Sequence, residues 1–173
     1  MDPISVAVHR GPFVESVHLV HAVAVQDGAV VAEAGDSGFL TSLRSSAKPF
    51  QALPLERVAF MFSRFETREG GGRVVAAMRA HPQLVGGTGQ PDTDLMRALP
   101  GWIAKGGAEG LFCAAAENGL GVALKSQDGS YRALRPALAS FFERLGLELD
   151  DGFAHVPVRN SRGEDVGELA TRG

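Results

Sequence analysis

The stretch Phe13-Val14-Glu15-Ser16-Val17-His18-Leu19-Val20-His21-Ala22-Val23-Ala24-Val25-Gln26-Asp27-Gly28-Ala29-Val30-Val31 decides the class of fold. It is rich in β-branched residues, which suit a pleated, half-buried surface better than a helix. Asp27-Gly28, set between Val23–Val25 and Val30–Val31, is a strong short-range hairpin signal, because tight hairpin turns need residues that accept positive φ. Upstream, Val6 and Val8 extend the same character, and Gly11-Pro12 marks another turn. Residues 4–34 are therefore expected to be β, ending at the Gly35-Asp36-Ser37-Gly38 cluster. His18 and His21 lie three apart in this strand, so they are expected on opposite faces.

Outward from that sheet the character changes. Residues 45–99 read as helical. Val58, Met61, Phe62 and Phe65 follow the i, i+3, i+4, i+7 spacing of a core-facing stripe, with Pro54 placed as a first helical residue. Arg73 to Ala80 predict a short helix stopped by Pro82. Thr93 is a candidate cap for a helix over 94–99, with acids at its start. Residues 102–125 return to β, with a turn at Glu117-Asn118-Gly119. A terminal helix follows, with Leu138, Phe141, Phe142 and Leu145 on one face and Gly146 as its terminator. Val156–Val158 and Val166–Leu169 predict a last extended edge around Arg162-Gly163. Strands, helices, strands, then a helix predict an α+β domain with a mainly antiparallel sheet and flanking helices.

Composition narrows the function. The chain has 173 residues, 17 basic against 20 acidic side chains, and a formal charge of −3. No basic block supports nucleic-acid binding, and no apolar run reaches the ~18 residues of a membrane span. Met1 to Val8 lack a basic n-region and an apolar h-region, so no signal peptide is expected and the location expected is cytoplasmic. Cys113 is the single cysteine. It is expected to be a small buried hydrophobe. It leaves no intramolecular disulfide and no cysteine partners for zinc, and the five histidines show no ligand spacing. Neither a metal nor a cofactor is expected.

The chemistry-bearing residues lie in Arg44-Ser45-Ser46-Ala47-Lys48-Pro49-Phe50. Ser45 and Lys48 have the S-x-x-K spacing, which on a helix places both side chains on one face. A serine nucleophile needs a neutral base, and lysine, with a pKa near ~10.4, is ordinarily charged. A helix N-terminus, burial, or a second cation such as Lys105 all disfavour the charged form. Ser45 as nucleophile and Lys48 as base thus meet the requirements of covalent catalysis. On pattern alone the commoner outcome of such spacing is Ser46 as an N-cap and Lys48 as a solvated first-turn residue. Lys105 stands in Ala104-Lys105-Gly106-Gly107-Ala108-Glu109-Gly110. A Lys-x-Gly strand supplies a cationic donor and close backbone approach; taken without Ser45 and Lys48, it reads rather as an edge lysine that discourages strand pairing.

These segments carry a resemblance. Val8-His9-Arg10-Gly11, Val14-Glu15-Ser16-Val17-His18 and Leu43-Arg44-Ser45-Ser46-Ala47-Lys48-Pro49-Phe50-Gln51-Ala52-Leu53-Pro54 resemble the N-terminal part of the bacterial asparaginase II family, the Rhizobium-type Ser-Lys L-asparaginases. Met78-Arg79-Ala80-His81-Pro82, Gly87-Thr88-Gly89, Asp92-Thr93-Asp94-Leu95-Met96, the segment 104–110, and Pro157-Val158-Arg159-Asn160 with Arg162-Gly163 resemble its C-terminal part. The resemblance implies a fold similar to glutaminases and serine β-lactamases, asparagine as a small-molecule substrate, Ser45 and Lys48 as a catalytic pair, and Lys105 as a further site lysine. Family members also carry Cys-Ala-Ser-His, Asn-Cys-Ser-Gly-Lys-His and Asp-Gly-Cys-Gly segments, linked to a second serine and to substrate and zinc binding. None stands in this sequence. The comparison implies one shortened domain over 1–173 with part of the helical side missing and a seam at 52–55, where similar Ala-Leu-Pro-Leu runs of the family meet. Two functions follow as expectations: an amidohydrolase with impaired turnover, or a non-catalytic remnant that associates with itself or with a full-length relative. β-Lactam chemistry is disfavoured, because the Ser-Asp-Asn element is absent.

Overall fold

The valine-rich N-terminus forms three strands: β1 (Ile4–Arg10), β2 (Phe13–Gln26) and β3 (Ala29–Ala34). The computed structural model describes residues 1–41 and 53–172. Asp27 and Gly28 have φ of 49° and 82°. Both left-handed conformations are what a two-residue hairpin turn requires, so β2 and β3 pair at once. β2 is 14 residues long and serves two sets of neighbours. Its first half pairs with β1, from Ile4 opposite Val20 to Arg10 opposite Phe13. Its second half pairs with β3 on one side and with a later strand on the other.

After the short ribbon of β4 (Leu40–Thr41) and β5 (Leu53–Pro54), α1 (Leu55–Ser63), α2 (Gly71–Ala80), α3 (Pro82–Val85) and α4 (Pro91–Ala98) follow. A meander of β6 (Ile103–Gly107), β7 (Leu111–Ala115) and β8 (Gly121–Ser126) then joins the sheet through β8 against β2. A 3₁₀ turn at Tyr131–Ala133 leads into α5 (Leu134–Arg144). Finally α6 (Asp151–Ala154), β9 (Val156–Arg159) and β10 (Asp165–Thr171) return to the sheet, with β10 against β1. The order is β6-β7-β8-β2-β1-β10-β9 with β3 on β2, and every pair is antiparallel. The domain is α+β, as the element order implies.

Alternation along the strands splits the sheet into two faces. One face, with Ala22, Ala24, Phe112, Val122 and Leu124, packs against Leu134, Leu138, Phe141 and Phe142 of α5. The other, with Val23, Val25, Cys113 and Ala123, packs against Leu55, Val58 and Ala59 of α1. α5 ends at a Schellman motif: Leu147 N–H bonds Phe142 C=O and Gly146 N–H bonds Glu143 C=O, each at 2.9 Å, with Gly146 at φ 74°.

Three local expectations differ. Pro54 is the N-cap of α1 and not its first helical residue. α1 ends at Ser63, so Phe65 falls outside the helix; the buried face is Leu55, Val58 and Ala59, and Met61 and Phe65 are exposed. α4 begins at Pro91, with Gln90 as N-cap, which moves Thr93 into the first turn. Proline at the first helical position loses no hydrogen bond, because that N–H has no intrahelical partner. Among the described residues no helix is long and apolar enough to cross a membrane.

Candidate active site

Ser45 and Lys48 lie outside the described residues. The chain on either side of them is placed: Thr41 pairs with Leu53 in the β4–β5 ribbon, and β5 runs directly into α1. Leu55 N–H bonds Phe39 C=O at 3.2 Å and Glu56 N–H bonds Ser37 C=O at 3.0 Å, which fixes the start of α1 against the loop before β4. Phe39 in turn stacks on His21 of β2, with ring centroids 4.3 Å apart. The described residues that flank the segment with Ser45 and Lys48, Thr41 and Leu53, therefore stand beside the start of α1.

Lys105 is on the α1 side of the sheet. Its register partner is Cys113, whose partner is Ala123, whose partner is Val23, so the four share a face. β6 is an edge strand, and α4 packs along its free side. Here Lys105 meets Asp92, a carboxylate in the first turn of α4 with only 2% of its side chain exposed. Lys105 Nζ is 3.4 Å from Asp92 Oδ2 and donates to Gly106 C=O at 3.0 Å. Gly106 N–H donates to the same Oδ2 at 3.1 Å, and Thr93 N–H donates to Oδ1 at 3.1 Å. The carboxylate is walled in by backbone: a Cβ on Gly86 would collide with Oδ1. On the opposite side of the strand the Tyr131 hydroxyl occupies the space a Cβ on Gly106 would need. Burial, reinforced by the Asp92 charge and opposed by Arg135, pushes the Tyr131 hydroxyl up to about 12, so it stays protonated. Arg135 is held by Asp94 and by Gly89 C=O at 2.9 Å, with its guanidinium 5.2 Å from the Phe153 ring centroid.

A second lysine faces the α1 side one pleat on. Lys125, the register partner of His21, donates to Glu109 C=O and Ser126 C=O, each at 2.6 Å, and so straps the turn that follows Lys105-Gly106-Gly107. Burial lowers the pKa of Lys125, against the opposing charges of Glu109 and Asp128. His21 is buried with its Nδ1 accepting from Asp36 N–H at 2.9 Å, which assigns the proton to Nε2. Burial lowers its pKa too, so it is neutral. His18 faces the other way, its Nδ1 2.5 Å from Asp128 Oδ2, with Arg132 Nε donating to its Nε2 at 3.3 Å. The two histidines thus sit on opposite faces, as their spacing requires.

Sequence reading found Lys105 but not Asp92, Tyr131 or Lys125 around it. Pro91 was the available signal for Asp92: a proline at the first helical position puts the next residue in the first turn, beside the strand that follows.

A family model describing L-asparaginase II matches residues 6–69 and 52–171 of the chain, two stretches that share residues 52–69. The chain belongs to this family. Among curated proteins none matches it. The zinc binding that the resemblance implies for the family finds no fitting cysteine here. The single thiol, Cys113, is buried in β7 and pushed up to about 12 by that burial, far from the thiolate a metal needs. Among the described residues no group of three His, Cys, Asp or Glu side chains is placed to hold a metal ion.

Proposed function

We propose that the chain carries the Ser-Lys amidohydrolase chemistry of its family, directed at the side-chain amide of asparagine. Ser45 attacks the amide carbon. Lys48 takes the hydroxyl proton and returns it to the leaving ammonia, and water then releases aspartate from the acyl-enzyme. Lys105 is the cation that orients the substrate, a role its position on an edge strand supports. The observation that carries this reading is the family match over both the S-x-x-K segment and the Lys-x-Gly strand. The strand order adds support for a fold of the β-lactamase and glutaminase kind: a three-strand meander joins the N-terminal hairpin, with the Lys-x-Gly strand outermost. A cytoplasmic location goes with this reading.

The overlap of the two matched stretches at 52–69 favours a second reading. One segment answers to two places in the family model, as it would if similar runs had recombined near 52–55 and removed what lay between. Pocket walls and oxyanion donors, usually the larger source of rate, would go with the lost middle. Turnover is then low, and the chain acts as a remnant that associates with itself or with a full-length relative. Ammonia release from asparagine by the purified chain tests both. Release that disappears in Ser45→Ala and falls steeply in Lys48→Met supports the enzyme. Release that persists in Ser45→Ala overturns it, and absence of release from the native chain leaves the remnant.

A further inference from the structure

We propose that Asp92 is the positioning residue that holds the Lys105 ammonium in place on the site side of β6; what Lys105 does there rests on the amidohydrolase reading. Lysine is a flexible side chain with three rotatable donors. The Lys105 side chain is 52% exposed, so nothing in its own strand confines it beyond the bond to Gly106 C=O. Asp92 supplies the missing constraint. Its carboxylate cannot swing, because Gly86 backs it, Thr93 N–H holds Oδ1 and Gly106 N–H holds Oδ2. Burying a carboxylate is costly unless donors and an opposite charge surround it, and Lys105 is the cation placed 3.4 Å away. That separation is longer than the ~2.7–2.9 Å of a tight charge-assisted bond, which leaves the ammonium room to shift toward an incoming carboxylate without losing its partner. The same geometry has a second consequence. The outward N–H of Gly106 is occupied by Asp92, so at this point the edge strand presents a cation and not a backbone amide.

The chain contains three lysines, Lys48, Lys105 and Lys125, so a lysine-selective 15N spectrum of the side-chain ammonium groups shows few enough signals to assign. Loss of one signal in Lys105→Met assigns Lys105. In Asp92→Asn, which keeps the shape and removes the charge, the Lys105 signal is expected to move or to vanish into fast hydrogen exchange, while the Lys125 signal and the far-ultraviolet circular dichroism are unchanged. A Lys105 signal that stays in place in folded Asp92→Asn overturns the assignment. Should Asp92→Asn not fold, Asp92→Glu decides, since it keeps the charge and displaces it: a Lys105 signal that moves while the Lys125 signal stays supports the assignment, and a Lys105 signal that stays in place overturns it. Failure of the amidohydrolase reading shows separately, as Ser45-independent or absent ammonia release, and does not alter these signals.

Discussion

The two faces of the sheet are finished to different degrees. On the α5 side the aromatic side chains Phe112, Phe141, Phe142 and Phe153 are almost wholly buried, and the covering helix ends in a fully bonded cap. On the α1 side a helix of nine residues covers only the second half of β2. Val23 and Val25 are buried beneath it, while Val17 and Leu19, further along the same face, are 40% and 38% exposed. The buried His21 Nε2 and Thr41 Oγ1 have no hydrogen-bond partner among the described residues, and both belong to this side. Lys105 faces this side as well. The difference teaches that stability and chemistry are separable here: one face holds the sheet together, and the other presents Lys105.

The contrast can be broken most forcefully from the α5 side. Phe141→Ala removes a fully buried ring and is expected to destabilise the domain by about 3–5 kcal/mol, read as a lowered midpoint in urea unfolding. A loss below about 1 kcal/mol would mean that this face is not the main core. On the α1 side, Gly121→Ala sharpens the comparison. The added methyl would strike the Ala59 carbonyl, which is backbone and cannot rotate away, so α1 must lift from β8. The expected cost is about 1–3 kcal/mol, with hydrogen exchange quickening across residues 55–63 and unchanged in α5. Uniform quickening would show that the two faces do not behave separately.

A smaller, pH-dependent effect comes from the α5 side. Burial pushes the Asp128 carboxyl up, but hydrogen bonds from Ser126 Oγ, Ser130 N–H and His18 outweigh it and hold the group down to about 2. A carboxylate depressed in the folded state stabilises it above the ordinary carboxylate range near ~3.9, and that contribution is lost as pH falls through the folded value. Stability is therefore expected to decline between about pH 4 and pH 2, and Asp128→Asn should flatten this part of the profile. An unchanged slope would remove Asp128 from the account. The smallest effect on stability belongs to the exposed part of the α1 side. Val17→Thr with Leu19→Thr should alter stability by about 0.5 kcal/mol or less yet lower the mass seen by light scattering at high concentration, because exposed apolar patches promote association. Equal masses for native and variant chains would show that this surface is inert.

Much of the architecture was legible. The β character of 4–34, the Asp27-Gly28 hairpin, the strand return after residue 102 and the Gly146 stop are local signals, and local sterics produced them. The stripe Val58, Met61, Phe62 and Phe65 was misread at its end because helix period alone does not say where a helix stops. Of the candidate site, Lys105 was legible through its glycines. Asp92 was not, since its meaning depends on α4 lying along the free side of β6.

What the sequence determined by itself is therefore local and chemical: which segments are strands or helices, where turns need positive φ, and that Ser45 and Lys48 have the spacing of a nucleophile and base. These follow from backbone sterics and side-chain spacing within a few residues. Only the tertiary structure decided that β10 closes on β1, that β2 carries neighbours on both sides, and that Asp92 takes Lys105 and Gly106 together. Such pairings join residues far apart in the chain. They are selected by the burial of a whole face and the satisfaction of buried polar groups, which no single segment can express.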